Sequence, residues 1–416
     1  MTIKMTAENA SWPKEEDPIF AIAERADNAI RDLGRDKVIN ATLGSLYDDD
    51  GNLITLNTVF DELKHLRNDE IAAYSPIAGN NDFQEDVVNV CFGDYKPDAY
   101  FRAVYTPGGT GAVRHCIWTY AGASDPVICP DWYWKPYKTI CDEFEREFIT
   151  YPIFDENFQY NVEGFEKTFR ENLKKNKRII SIFNTPANNP TGYSISDDEW
   201  DKILDIIKDE AKDMENRITI LLDIAYIEYA GDGSQKKFFK KFSNLPENVF
   251  VLVAFSMSKS YTAYGLRTGA AVGLSSSQEI VDEFFYSCSH ANRSNWSNGV
   301  RSSMQILSNI YRDEQKSKSY HEELEQARKL LERRAETFVT EADKVGLRIF
   351  PYRGGFFISI PTENSQEIGD ELEANNLFAI ALPKGIRFAV CAVPEDQCKI
   401  APKIIKDIMD KVEKNK

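Results

Sequence analysis

One lysine lies in an uncommon setting, in the stretch SMSKSYTAYGLRTGA at residues 256–270. Small hydroxylated residues flank Lys259, and Arg267 follows within the same stretch. A lysine can form a covalent bond with a carbonyl compound when its surroundings activate the amine. Lone lysines in polar loops are usually solvated surface residues, so the other residues of the chain must decide whether Lys259 does chemistry.

A second candidate is the segment YTPGGTGAVRHCIWTY, where a predicted strand ends at Pro107, turns on Gly108 and Gly109 and leads into a helix that carries Thr110. Glycines allow a close backbone approach, and the N–H groups of a helix N-terminus attract an anion. The segment lacks the G-K-[ST] ending of a P-loop and the G-x-G-x-x-G fingerprint. We therefore predict a phosphate cradle, but neither a nucleoside triphosphate nor a dinucleotide site.

Further polar and aromatic candidates follow other predicted strands. Asp223 ends the run ITILLD, Asn189 lies in FNTPANNPTGYS and Trp132 lies in CPDWYWKPY. Alone, these residues are typical of a helix cap, a turn and a core aromatic residue, respectively. Together with Thr110 and Lys259 they all come directly after predicted strands, and open α/β sheets bind ligands at that edge.

These parts are those needed to hold pyridoxal 5′-phosphate. The glycine turn would hold the phosphate, with Ser256 and Arg267 beside it. Lys259 would bind the aldehyde, and the carboxylate of Asp223 would keep the pyridine nitrogen protonated so that the ring becomes an electron sink. The residues therefore favour a pyridoxal phosphate site.

Seven short apolar runs supply the strands that would position this site. They begin at residues 101, 126, 148, 178, 218, 249 and 269. Runs that are apolar on both faces and alternate with amphipathic segments predict a mostly parallel sheet flanked by helices. The fold class is therefore α/β, with a large domain around a seven-stranded sheet.

A long charged segment over about 313–343 predicts a helix that leads out of this domain. The strand-like runs GGFFISI, LFAIALP and IRFAVCAV follow, and a helix from about 395 closes the chain. We predict an N-terminal arm with part of a small domain at 1–58, a large domain at 59–334 and a small α/β domain at 335–416.

Composition excludes several classes of protein. The chain has 416 residues, 42% of them hydrophobic, and a formal charge of −16, which disfavours nucleic acid and anionic membranes. The seven cysteines are scattered without a C-x-x-C pair, so neither a disulfide framework nor a metal site is expected. The acidic start without an apolar segment indicates a cytoplasmic protein.

At this point the sequence resembles the fold-type I pyridoxal phosphate enzymes, in particular the aspartate and aromatic aminotransferase branch. The resemblance is carried, in order along the chain, by DPIFAIAERAD, INATLGSLYDDDG, YSPIAGNNDF, TPGGTGA, PDW, NNPTG, DIAY, SMSK with GLRTGA, NRSNWSN and RFAV. The combination of TPGGTGA, D-x-A-Y and S-x-S-K followed by R-x-G-A is highly specific.

The resemblance implies a role for each matching residue at the cofactor. Lys259 would bind the cofactor and move the substrate proton, and Asp223 would pair with the ring nitrogen. The remaining contacts would be Tyr226 and Asn189 to the phenolic oxygen, Trp132 to the ring face, and Gly109, Thr110, Ser256, Arg267 and the partner subunit's Tyr74 to the phosphate.

The resemblance also implies substrate contacts. Arg387 would grip the α-carboxylate in a bidentate fork, Gly44 would close over the substrate, and Trp132 and Asn189 would line its site. Arg293 would reach across a dimer interface to a side-chain carboxylate. Aromatic-specific members keep that arginine, so it favours aspartate or glutamate without excluding aromatic amino acids.

We therefore predict a homodimeric aminotransferase that moves an amino group from an L-amino acid to a 2-oxo acid. Its N-terminal arm SWPKEEDPIF would drape over the partner. Three alternatives stay open: a carbon–sulfur lyase or decarboxylase of the same fold, a non-catalytic pyridoxal phosphate-binding regulatory protein, and a phosphate-binding α/β protein without the cofactor.

Overall fold

The computed structural model describes residue 3 and residues 5–12, 18–231 and 233–414. Its strands are β1 Ile39–Ala41, β2 Tyr100–Thr106, β3 Pro126–Pro130, β4 Glu147–Tyr151, β5 Arg178–Asn184, β6 Arg217–Asp223, β7 Val249–Ser256, β8 Gly269–Ser275, β9 Ile358–Pro361, β10 Leu377–Leu382 and β11 Gly385–Phe388. Its α-helices are α1 Pro18–Leu33, α2 Asn57–His65, α3 Asn68–Ala72, α4 Asn81–Phe92, α5 Gly108–Tyr120, α6 Pro136–Glu143, α7 Val162–Asn176, α8 Asp197–Glu210, α9 Met257–Ser260, α10 Gln278–Asn295, α11 Arg301–Arg312, α12 Glu314–Val345, α13 Ser365–Ala374 and α14 Glu395–Lys414.

Seven strands form one sheet in the order β2-β8-β7-β6-β5-β3-β4. Strand β8 is antiparallel to both of its neighbours, and the other pairs are parallel. Every residue of β7 is buried, and alternate residues pack into separate apolar clusters on the two faces of the sheet. The predicted seven-stranded, mostly parallel sheet is confirmed, because all seven apolar runs form its strands.

A smaller sheet has the order β1-β10-β11-β9. Only β1 and β10 pair in parallel. The run IRFAVCAV was expected to be one strand, but β11 ends at Phe388. The chain leaves the ladder there because the N–H of Ala389 donates to Ala41 O and that of Cys391 to Phe356 O.

Helix α12 confirms the predicted long helix after residue 312. The Asp313 side chain caps its start by accepting from Lys316 N at 2.9 Å, and Gly346 ends it with a φ of +67°. Leu324, Leu331 and Phe338 are buried along its inner face. The domain limits at 58/59 and 334/335 stay a prediction.

Two further points concern the whole chain. Residues 13–17 of the predicted N-terminal arm lie outside the described residues, and the contact of the arm with a partner stays a prediction. Among the described helices, none is long and apolar enough to cross a membrane. All seven cysteines are buried and carry free thiols.

Candidate active site

A cavity of about 230 Å³ lies where the parallel strands β5, β6 and β7 end. It is lined by Gly109, Thr110, Trp134, Asn184, Asn189, Asp223, Ala225, Tyr226, Ser256, Ser258, Lys259, Tyr264 and Arg267. Eight of the ten predicted cofactor residues are in this set, because the polar residues that follow the strands meet at one edge of the sheet. The other two are Trp132 and Tyr74.

Lys259 enters the cavity from α9, directly after β7. The hydroxyl of Ser256 caps this turn by accepting from Ser258 N at 3.2 Å. The Lys259 Nζ donates to Gly44 O at 2.7 Å and lies 4.7 Å from the ring centre of Tyr264. Burial lowers the pKa of Lys259 to about 8; the charges of Arg267 and Arg387 contribute to this fall, and Cys391 opposes it. Near neutral pH, a useful fraction of this amine is therefore unprotonated.

Asp223 ends β6 with its carboxylate buried. The Tyr137 hydroxyl donates to its Oδ2 at 2.5 Å, and Ala225 N donates to its Oδ1 at 3.1 Å. Burial raises the pKa of Asp223, whereas these two hydrogen bonds oppose that rise. A buried carboxylate of this kind is suited to pair with a protonated ring nitrogen. Sequence reasoning missed Tyr137, which lies in a helix and reads as a core aromatic residue.

An anion cradle forms at the N-terminus of α5. Gly108 has a φ of +70°, and a Cβ there would lie 2.6 Å from Arg267 Nη2, so a side chain would be strained and would displace the guanidinium. A Cβ at Gly109 would lie 3.3 Å from Ser256 Cβ. Arg267 Nη1 donates to Ser258 Oγ at 3.1 Å. The helix N-terminus, the serine hydroxyls and the guanidinium therefore lie close together in the cavity wall and fit a phosphate.

Asn189 and Tyr226 lie together in the wall of the cavity. The Asn189 Nδ2 lies 3.5 Å from the Tyr226 hydroxyl, and the Asn189 N–H donates to Asn184 Oδ1 at 2.6 Å. The Asn184 Nδ2 in turn donates to Asp223 O at 3.0 Å. Asn184, which sequence reasoning missed, thus fixes the loop that carries Asn189; its position at the end of a buried strand was the available signal.

The predicted aromatic plate needs a correction. Trp132 does not line the cavity: its ring packs edge-to-face on Phe350 at 4.8 Å, and Gly385 lies against it. Trp134 lines the cavity instead, and its ring meets that of Tyr137 at 5.4 Å. The strand β3 ends at Pro130, and the turn that follows buries Trp132 in the core and directs Trp134 into the cavity. Two tryptophans this close in sequence could not be told apart by pattern alone.

Arg387 and Gly44 lie near Lys259 without lining the cavity itself. Arg387 is only 6% exposed, its Nη2 donates to Thr42 O at 2.7 Å, and its guanidinium lies 4.4 Å over the ring of Phe357. Among the described residues, its Nε has no hydrogen-bond partner. A Cβ at Gly44 would lie 2.6 Å from Phe357 Cζ. A buried guanidinium with a free donor is suited to hold a carboxylate.

Two predicted residues lie away from the cavity on the surface of the protomer. Tyr74 is 88% exposed, and its carbonyl accepts from Arg301 Nη1 at 3.3 Å. Arg293 is exposed in the last turn of α10, where its Nη1 donates to Ser297 Oγ at 2.7 Å. The resemblance assigns both to the site of a second subunit, so their place outside this cavity agrees with that expectation without testing it.

Fold and cavity together define a pyridoxal phosphate enzyme of fold type I. The family model for aminotransferase class I and II matches residues 36–405. The chain therefore belongs to the aminotransferase class I and II family, and it is a pyridoxal phosphate-dependent transaminase.

Individual relatives agree with this assignment. An aminotransferase structure from Anaerococcus prevotii is 47% identical, with a TM-score of 0.95, over 97% of this chain and 98% of that one. The aromatic-amino-acid aminotransferase of Escherichia coli is 24% identical over 81% of this chain and 83% of its own. The aspartate aminotransferase of Salmonella typhi is 25% identical over 79% of this chain and 82% of its own. The lyase, decarboxylase and non-catalytic alternatives are not favoured by these relatives.

Proposed function

We propose that this protein moves an amino group from aspartate, glutamate or an aromatic L-amino acid to a 2-oxo acid in two half-reactions. The observation that carries the proposal is the single cavity in which Lys259, Asp223 and the anion cradle meet. When bound, pyridoxal phosphate withdraws electrons from the substrate α-carbon. The relatives named as aspartate and aromatic aminotransferases support this choice of donors.

The residues of the chain would divide the work as follows. The cradle at Gly109, Thr110, Ser256 and Arg267 would hold the phosphate, and Trp134, rather than Trp132, would cover one face of the ring. Asp223 would hold the proton on the ring nitrogen, helped by the hydroxyl of Tyr137. Lys259 would move a proton at Nζ, because its lowered pKa leaves the amine partly neutral.

Substrate recognition would begin at Arg387. Its free Nε and its Nη groups offer a planar fork for the α-carboxylate, and lysine cannot reproduce that geometry. The contact of Nη2 with Thr42 O and the Phe357 ring keep the guanidinium in place. An α-amino acid bound here would place its α-carbon toward Lys259, whose Nζ donates a hydrogen bond to Gly44 O.

We place Tyr74 and Arg293 in the site of a second copy of the chain, which makes the functional unit a homodimer. Their exposure supports this arrangement, since neither lines the cavity of its own protomer. Arg293 would pair with the side-chain carboxylate of a dicarboxylic donor. Seven free thiols are also in keeping with a reducing compartment, the cytoplasm.

A half-reaction titration tests the transamination. The purified protein would be mixed with L-aspartate, L-glutamate, L-phenylalanine or L-alanine without an acceptor, while the visible absorbance of the bound cofactor is followed. We expect bleaching that a 2-oxo acid restores. Release of ammonia or pyruvate without restoration would instead indicate a lyase, and a protein without cofactor absorbance would contradict the whole proposal.

A complementation experiment tests the shared site. Protomers with Lys259→Ala and protomers with Arg293→Leu would be mixed in equal amounts and allowed to exchange. Half of the dimers should be hybrids, each with one intact site, so the mixture should recover about one quarter of the wild-type activity toward aspartate. Activity no higher than the sum of the separate variants would contradict the placement of Arg293 in the partner's site.

A further inference from the structure

A buried polar pair joins α5 to α10 outside the cavity. His115 and Asn292 are both 0% exposed, and His115 Nε2 lies 2.6 Å from Asn292 Oδ1. Within the described residues, His115 Nδ1 has no hydrogen-bond partner. The hydrogen bond of the imidazole is therefore the one to Asn292. Neither residue has a part in the transamination outlined above.

The hydrogen bonds of Asn292 fix the orientation of this pair. Its Nδ2 donates to Ile77 O and to Tyr105 O, both at 2.9 Å. The Oδ1 must therefore accept, so the proton of the imidazole lies on His115 Nε2. Burial lowers the pKa of His115 to about 4, so the ring is neutral near pH 7. One tautomer and one amide orientation satisfy the contacts.

The main chain of Asn292 organises the loop after α10. Its carbonyl accepts from Trp296 N at 3.1 Å and from Ser297 N at 2.9 Å, and the Trp296 ring stacks on His115 at 4.9 Å. Ser297 Oγ in turn accepts from Arg293 Nη1 at 2.7 Å. The side chain of Arg293 therefore rests on a loop that Asn292 and His115 hold.

The same loop holds the segment that carries Tyr74. Asn298 Nδ2 donates to Ser75 O at 2.7 Å, and the Ser75 hydroxyl donates to Gly299 O at 3.1 Å. Asn292 contacts this segment from the other side through its bond to Ile77 O. Tyr74 and Arg293 are thus anchored to one set of hydrogen bonds, with Asn292 at its centre.

We propose that His115 and Asn292 are positioning residues that hold Arg293 and Tyr74 as one unit toward the partner's active site. This inference rests on the proposed function, in which Arg293 serves the substrate side chain and Tyr74 the cofactor phosphate. Loosening the pair therefore weakens recognition of the second carboxylate and retention of the cofactor together. If the pair only filled the core, its removal would lower the thermal stability and change neither substrate recognition nor cofactor binding.

The test compares three variants of the cofactor-loaded protein. His115→Leu removes the donor to Asn292, His115→Gln keeps an N–H that can reach it, and Tyr151→Phe removes a buried hydroxyl contact of 2.6 Å with Tyr160 away from the cavity. The measurements are kcat/KM for L-aspartate relative to L-phenylalanine, the dissociation constant of pyridoxal phosphate, and Tm.

We expect His115→Leu to lower the aspartate-to-phenylalanine ratio about tenfold and to weaken cofactor binding several-fold, with kcat for phenylalanine within about twofold of wild type, as for loss of one buried hydrogen bond. His115→Gln should restore both values toward wild type. Tyr151→Phe should lower Tm and change neither. A His115→Leu protein with a lower Tm but an unchanged ratio and an unchanged cofactor affinity overturns the proposal. A change in the ratio alone, or in the cofactor affinity alone, also overturns it.

Asn298→Ala keeps the proposal testable if His115→Leu does not fold, since Asn298 is only half-buried. It cuts the bond to Ser75 and also the bond that Ser297 Oγ donates to Asn298 Oδ1 at 3.2 Å, while the Ser297 hydroxyl that accepts from Arg293 stays in the chain. Weaker cofactor binding supports the arrangement, and unchanged cofactor binding contradicts it. Two further measurements test the proposed function separately. One is the bleaching of the wild-type protein by an amino donor, and the other is the fall in the aspartate-to-phenylalanine ratio for Arg293→Leu.

Discussion

In the cavity beside Lys259 the functional side chains are buried and bonded to their own protomer, whereas Tyr74 on the outer surface is 88% exposed. Asp223 is held by Tyr137 and by the backbone of Ala225, while Arg293 donates to Ser297 of its own loop. The described cavity is therefore lined by residues of a single protomer. In the proposed homodimer, Tyr74 and Arg293 on the outer face would complete the site of the second copy.

This difference separates two tasks physically. Burial gives the cavity a low effective dielectric, which shifts the pKa values of Lys259 and Asp223 in opposite directions. Arg293 lies on the exposed outer face, where in the proposed homodimer it would meet the substrate side chain. The chemistry should thus depend on the inner region, and substrate choice on the outer region.

The largest expected effect concerns the inner region. Lys259→Ala should lower turnover by about 10³-fold or more, because both the cofactor anchor and the proton carrier are lost. Single-turnover assays with L-aspartate would measure it, and far-UV circular dichroism should show an unchanged fold. Substantial turnover in this variant would contradict the assignment of the site.

Lys259 should also affect the stability of the cofactor-free protein. Its pKa falls from 10.5 to about 8 on folding. Between these values the unfolded chain binds more protons, so stability rises with pH there. At pH 7 Lys259→Met should therefore be more stable than wild type, by at most ~3 kcal/mol. The difference should shrink from pH 8 to 10.5.

Urea unfolding across this pH range measures the difference, with Lys167→Met as a control at an exposed position. The control should show no comparable pH-dependent gain. A Lys259→Met protein whose stability difference stays constant over the range would mean that the amine is not desolvated.

The outer region should show its effect in substrate choice. Arg293→Leu should lower kcat/KM for L-aspartate about 10- to 100-fold, the range of a lost charge-assisted contact, and leave L-phenylalanine nearly unchanged. Arg293→Lys keeps the charge without the fork, so its kcat/KM for L-aspartate should lie between those of the wild type and Arg293→Leu. Equal losses for both donors would remove the distinction between an inner region for chemistry and an outer region for choice.

The smallest effect is expected at Tyr74. Tyr74→Phe should weaken pyridoxal phosphate binding by about tenfold or less, as for a single lost hydrogen bond. Dilution of the loaded protein, followed by its residual visible absorbance, measures this loss. Tyr286→Phe is a matched control, since Tyr286 is also exposed, at 68%. Identical retention in the two variants would show that Tyr74 does not contact the phosphate.

Much of the fold followed from the sequence. The seven apolar runs predict the large sheet because strands buried on both faces need continuous apolar residues. The strand β1 was missed, since three residues give no period to detect. The end of β11 at Phe388 was also missed, because contacts from Ala41 and Phe356 decide it.

The sequence by itself determined the residues at the strand ends. Thr110, Asn189, Asp223 and Lys259 line one cavity because parallel strands carry their carboxyl ends to one edge. The tertiary structure alone decided that Trp134 and not Trp132 lines it, that Tyr137 bonds to Asp223, and that His115 meets Asn292. Such contacts join residues distant along the chain or depend on the path of a turn, and local pattern carries no information about either.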